Sequence, residues 1–132
     1  MAEGSETAGG SETAGGEGTS ATGGGVRRVA SVVGLAEGAL EEYVRIHSEV
    51  WPAVLDTLRR AHVTNYSIYL HGDTLFSYYE YRGDDYEADM ALIAADPVTK
   101  DWWKITDPMQ RSLRARPDDP WWVPLAEVFH LD

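Results

Sequence analysis

The stretch NYSIYLHGDTLFSYYEY, residues 65–81, decides the fold. Its first part alternates, with Tyr66, Ile68 and Leu70 on one face and Asn65, Ser67 and Tyr69 on the other, the two-residue period of a strand. Gly72-Asp73 then makes a tight turn, and residues 75–81 form a second, aromatic-rich strand. Two such runs joined by so short a glycine-containing link predict a β-hairpin. Working outward, residues 28–33 are a β-branched run ended by Gly34, a further strand. Between it and the hairpin, Leu40, Tyr43, Val44, Val50, Trp51, Val54, Leu55 and Leu58 recur at helical spacing. They predict one helix from near Ala36 to about Arg60, kinked at Pro52.

After the hairpin, Gly83-Asp84-Asp85 opens another helix, with Asp84 and Glu87 at capping-box spacing and Met90, Ile93 and Ala94 on its buried side. Asp96-Pro97 and Asp107-Pro108 each read as an N-cap followed by proline at the first helical position. They predict two short helices, one carrying Trp102 and Trp103, the other spanning residues 109–113. A proline-bounded loop at residues 116–120 precedes a final strand at 125–131. The order β-α-β-β-α-β, with its second α broken, is the ferredoxin-like α+β arrangement: a four-stranded antiparallel sheet with helices on one face. Both faces of the strands carry large apolar groups, Tyr78, Tyr79 and Tyr81 among them, and helices cover only one. A homodimer with its two sheets facing is therefore expected.

Composition narrows the function. Residues 1–25 hold nine of the thirteen glycines, no aromatic residue and a tandem SETAGG, so they read as a flexible acidic tail. Residues 26–132 are enough for one compact domain. That domain holds 18 acidic against 11 basic residues, a net charge of −7, which disfavours nucleic acid and anionic membrane surfaces as partners. No stretch is apolar for long enough to span a bilayer, and residues 1–25 lack a signal peptide's basic start and apolar stretch. There is no cysteine, and His47, His62, His71 and His130 show no metal-ligand spacing. The expectation is a cytoplasmic protein with no metal and no organic cofactor.

His47 falls on the apolar stripe, one turn after Tyr43 and one turn before Trp51. Histidine is the side chain whose ordinary pKa lets it exchange protons near neutrality. A half-buried histidine is as often a structural donor, so the helix alone leaves both roles open. Tyr66 and Trp102-Trp103 complete a candidate pocket, walled by rings and holding a few polar groups. Indole faces pack on the C–H faces of a sugar ring, while phenol and imidazole meet its hydroxyls. An apolar bias favours a deoxy sugar with a methyl group. Periodicity by itself places Tyr66 in the core. Neighbouring helical residues point about 100 degrees apart, so Trp102 and Trp103 are not expected to share one core.

Residues 42–52, EYVRIHSEVWP, resemble the Y-x-x-x-H-x-x-[IV]-W-P stretch of the L-rhamnose mutarotases. NYSIYL at 65–70, DWWK at 101–104 with TDPM at 106–109, and EVFHL at 127–131 are similar to that family too. The resemblance covers nearly all of residues 26–132; the loop at 112–122 has no residue-by-residue match. It implies a dimeric α+β barrel and an isomerase exchanging the α and β anomers of L-rhamnose or a related 6-deoxyhexose. It also implies that His47 is the proton donor and that Tyr43, Tyr66, Trp102 and Trp103 contact the sugar. As imidazolium, His47 would protonate the ring oxygen, with Tyr66, Asp107 or water as candidates to take the anomeric proton. Two other readings remain open at this point. One is a cofactor-independent or haem-dependent monooxygenase of the same dimeric fold. The other is a non-catalytic sugar-binding module.

Overall fold

The structure, a computed structural model, describes residues 25–132; the tail assigned to residues 1–25 lies outside them but for its last residue. Five strands and four helices follow in order: β1 (Arg27–Leu35), α1 (Leu40–His47), α2 (Pro52–Arg60), β2 (Val63–His71), β3 (Thr74–Tyr81), α3 (Tyr86–Ala95), α4 (Pro97–Thr106), a 3-10 turn (Asp107–Met109), β4 (Gln110–Arg111) and β5 (Val123–Pro124). All pairings are antiparallel, in the order β2-β3-β1-β4. The α+β, ferredoxin-like expectation holds. Among the described residues no helix is long and apolar enough to cross a membrane.

The sheet's last position departs from expectation. Instead of one strand at 125–131, two short ladders share the free edge of β1: β4 opposite Gly34 and Leu35, and β5 opposite Ser31 and Val32. Pro124 has no N–H to donate, which stops β5 after two residues. The Leu125 amide still reaches the Ala30 carbonyl at 2.8 Å, and Glu127 pairs with Arg28 at 2.9 Å. Beyond that, Val128, Phe129 and Leu131 are 94%, 79% and 80% exposed. The helix expected at 109–113 is also absent, because Gln110 and Arg111 are drawn into the sheet. Gly34 permits this approach: a Cβ there would lie 2.8 Å from the Arg111 carbonyl.

The single kinked helix expected from 36 to 60 is two helices. Proline clashes with the carbonyl four residues earlier and pushes its predecessor into extended backbone. Accordingly α1 ends at His47, Trp51 is extended (φ −58°, ψ 131°), and Pro52 opens α2. In α3 the cap is Asp85 rather than Asp84: its carboxylate accepts from the Ala88 amide. Asp96 caps α4 as expected, accepting from the Thr99 amide at 2.9 Å.

The helices cover the face of the sheet that carries Val29, Val33, Tyr79 and Tyr81, all buried. Tyr79 and Tyr81 therefore belong to the helix-side core, and of the three tyrosines only Tyr78 lies with the opposite set. Its cross-strand neighbours there are Ala30 and Ser67.

Candidate active site

The break after α1 places His47 on a helix's last turn. Its Nδ1 lies 2.7 Å from the Tyr43 carbonyl, and a carbonyl only accepts, so Nδ1 carries the hydrogen. In the neutral ring the lone pair is thereby assigned to Nε2. The phenol of Tyr43 stacks on the imidazole at 4.2 Å between centroids, and the Trp102 indole meets it edge-on at 5.4 Å. Burial among these rings pulls the His47 pKa below the usual 6.5, only partly opposed by the bond to the Tyr43 carbonyl. Burial therefore favours the uncharged ring near neutral pH, with Nε2 free to accept a proton.

Tyr66 reaches the site through a β-bulge. Thr64 pairs with Glu80 and Ser67 with Tyr78, so Asn65 and Tyr66 together oppose Tyr79. Asn65 supplies the left-handed backbone (φ 47°), which asparagine tolerates better than most residues, and its amide donates to Glu80 at 2.8 Å. That bond, with those of Tyr78 and Arg82, holds the Glu80 carboxyl below its ordinary range against the effect of burial. The bulge sets Tyr66 edge-on to Tyr79, with centroids 5.6 Å apart.

A cavity of about 270 Å³ opens beside the imidazole, at the small end of ligand sites and of a size for one sugar ring. His47, Tyr66, Trp102 and Trp103 all line it. Tyr43 does not. It lies on the other side of the imidazole, where a second hollow of about 340 Å³ is lined by Tyr43, His47 and Ile68 among others. The structure thus unites four of the five candidate site residues around one space and stacks the fifth against their histidine.

Both indoles are buried, Trp102 at 4% and Trp103 at 3% exposure, and both join one core cluster. This overturns the expectation that they would be divided. Helix α4 packs against both α2 and α3, so two adjacent directions around its axis are occupied. Trp51 adds a further ring, edge-on to Trp102 at 5.2 Å. The rest of the lining is mostly apolar: Val50, Val54 and Leu58 from the α2 region, with Ile93 from α3. Their helical spacing is visible in the sequence, but periodicity does not distinguish a packed core from a cavity wall. Thr99, also in the wall, gave no signal beyond its place after the Asp96 cap. Asp107 does not line the cavity, which leaves it poorly placed to take an anomeric proton.

A titratable imidazole in the wall of a ring-lined cavity, on a ferredoxin-like frame, gives the molecule the form of a small α+β enzyme with a site for one small ligand. Comparison with known proteins narrows the class. The L-rhamnose mutarotase family model matches residues 28–131. L-rhamnose mutarotases of Lactiplantibacillus plantarum and Listeria monocytogenes are 37% and 38% identical over 108 and 109 residues, covering 80% of this chain and 98% and 99% of theirs. That of Opitutus terrae is 39% identical over 108 residues, 80% of this chain and 98% of its own. The crystal structure of an L-rhamnose mutarotase from Formosa agariphila superposes with a TM-score of 0.63 at 28% identity, over 80% of this chain and 98% of that one. The chain belongs to the L-rhamnose mutarotase family, whose activity is the interconversion of sugar anomers. Membership sets aside the monooxygenase reading.

Proposed function

We propose that this protein interconverts the α and β anomers of L-rhamnose, with His47 moving the proton, Tyr66, Trp102 and Trp103 holding the sugar, and Tyr43 holding the imidazole. The observation that carries the reading is the His47 imidazole in the cavity wall, its Nδ1 hydrogen committed to the Tyr43 carbonyl. Nε2 takes the proton of the anomeric hydroxyl as the bond from C1 to the ring oxygen breaks. The imidazolium so formed returns that proton to the ring oxygen, leaving a hydroxy-aldehyde. Rotation about C1–C2 and the reverse transfers give the other anomer. His47 remains the donor to the ring oxygen, and it also takes the anomeric proton. Protons and electron pairs balance without metal or cofactor.

The aliphatic lining from Val50, Val54, Leu58 and Ile93 supports a sugar with a methyl group at C6. The protein acts in the cytoplasm as a homodimer with no nucleic-acid or membrane partner; the acidic charge of the domain and the apolar open sheet face support this.

Saturation-difference NMR on a panel of 6-deoxy sugars tests the reading. Wild-type protein is expected to exchange the anomeric protons of L-rhamnose above the solvent rate. His47→Gln is expected to fold and to lose about 10²–10⁴-fold of that rate, the contribution typical of one positioned acid/base. A folded His47→Gln variant at full rate removes the imidazole from the reaction. Sugar-dependent thermal stabilisation by wild-type protein without exchange selects a binding module.

A further inference from the structure

We propose that Gln110 is a positioning residue for His47, acting through Tyr43 and tying the loop at 112–122 to the reacting imidazole. This rests on the reading of His47 as the proton carrier. The Gln110 side chain is buried, 6% exposed, and bridges two partners from distant parts of the chain. Its Nε2 donates to the Tyr43 hydroxyl at 3.2 Å, and its Oε1 accepts from the Trp121 indole N–H at 2.8 Å. An indole nitrogen only donates, so it fixes which end of the amide is oxygen and leaves the NH2 end for the phenol.

Both ends of the bridge are held. The Gln110 backbone is locked in the ladder opposite Leu35. Trp121 lies beneath the Arg114 guanidinium, 5.2 Å from the ring centroid, and next to Trp122, which is 1% exposed in the same cluster as Tyr43. Tyr43 is thus gripped at its hydroxyl by Gln110, while its ring face carries the imidazole and its carbonyl fixes Nδ1. Removing the grip lets the phenol tilt, and the stacked imidazole loses its fixed direction toward the sugar. A displacement of about 1 Å at a reacting group costs about 10²-fold in favourable cases, so a partly loosened platform is expected to cost about 10-fold. Gln110 lines neither hollow beside His47, so sugar affinity is expected to change little.

The test compares Gln110→Leu, Trp121→Phe, Tyr43→Phe and the double variant Tyr43→Phe/Gln110→Leu. Exchange kinetics on L-rhamnose give kcat and KM, and the ring 15N shifts of His47 give its tautomer without reference to activity. Gln110→Leu is expected to lower kcat about 10-fold with KM within about twofold. In the same variant the His47 shifts should move from a defined Nδ1–H form toward the tautomer average. Trp121→Phe, which removes the indole N–H at a half-buried position and keeps an aromatic ring against the Tyr43 cluster, should give the same pattern at about threefold and carries the test if Gln110→Leu fails to fold. In the Tyr43→Phe background, adding Gln110→Leu should cost under about twofold, because the hydroxyl through which Gln110 acts is already gone. Multiplicative losses in the double variant, a raised KM with kcat intact, or unmoved His47 shifts in a folded Gln110→Leu or Trp121→Phe variant would each overturn the proposal. If wild-type protein exchanges no 6-deoxy sugar, the mutarotase reading fails while the 15N comparison still decides whether Gln110 sets the imidazole.

Discussion

At His47 a single ring records both folding and chemistry. Burial beside Tyr43 and Trp102 favours its uncharged form, so the folded pKa lies below the 6.5 of the unfolded chain. Between those two values the unfolded chain binds more protons, so His47's share of stability is complete above pH 6.5 and is lost as pH falls through the folded pKa. Urea titrations of wild type and His47→Gln down an acid series are expected to diverge in that window, with wild type losing stability more steeply. Under the proposed proton transfer by His47, with neutral imidazole as the starting form, kcat/KM should rise with pH to a plateau along a limb centred below 6.5. A rate that falls on passing above 6.5 would instead identify imidazolium as the starting form. The histidine was legible in the sequence because it is a titratable group on an apolar stripe. Its lowered proton affinity was not, since that depends on an indole brought in from α4. Gln110 gave no signal at all: a lone amide between Met109 and Arg111 acquires meaning only once Tyr43 and Trp121 converge on it.

The elements show why local signals succeeded in some places and failed in others. Asp96-Pro97 was read correctly because an N-cap and a proline at the first helical position are complete within a few residues. Asp96→Ala is expected to destabilise by about 1 kcal/mol, the usual worth of such a cap, seen as a lower thermal midpoint, and to loosen the helix that carries both cavity indoles. The same Asp-Pro signal misled at Asp107, where the competing pull of the β1 edge draws Gln110 and Arg111 into a ladder after one short turn. Strand β2 was recognised from its alternation, but the bulge within it was not, because a left-handed residue leaves no mark on a polar/apolar pattern. Asn65 carries that conformation at φ 47°. A β-branched residue is strained there, so Asn65→Val is expected to cost about 1–3 kcal/mol of stability and also to remove the bond to Glu80. Since the bulge directs Tyr66 to the cavity, the variant should weaken sugar binding as well. Asn65→Gly, which accepts the backbone angle without the amide, should recover most of the strain and separate the two contributions.

For the whole molecule, the order of helices and strands was readable because the hairpin and the two helical stretches each have a clear period. How the last strand position is filled was not, since Pro124 and the chain after it depend on what lies beside β1. The same edge bears on assembly. The face of the sheet turned away from the helices includes Val32 paired across to Phe76, and Tyr69 beside Phe76 on β2. Phe76 is 36% exposed and Tyr69 65%, and the apolar Val128, Phe129 and Leu131 are exposed at the chain's end. Large apolar groups exposed on one face of a sheet favour burial against a second copy, with each area removed from water contributing roughly 25 cal/mol per Å² before the costs of association. Phe76→Asp puts a charge at the centre of that face, on the side of β3 opposite the cavity. Light scattering after size exclusion is expected to give twice the chain mass for wild type and a single chain mass for the variant, with far-ultraviolet circular dichroism unchanged. A wild-type protein that is monomeric at high micromolar concentration, or a folded Phe76→Asp variant that stays dimeric, would place the contact elsewhere or remove it.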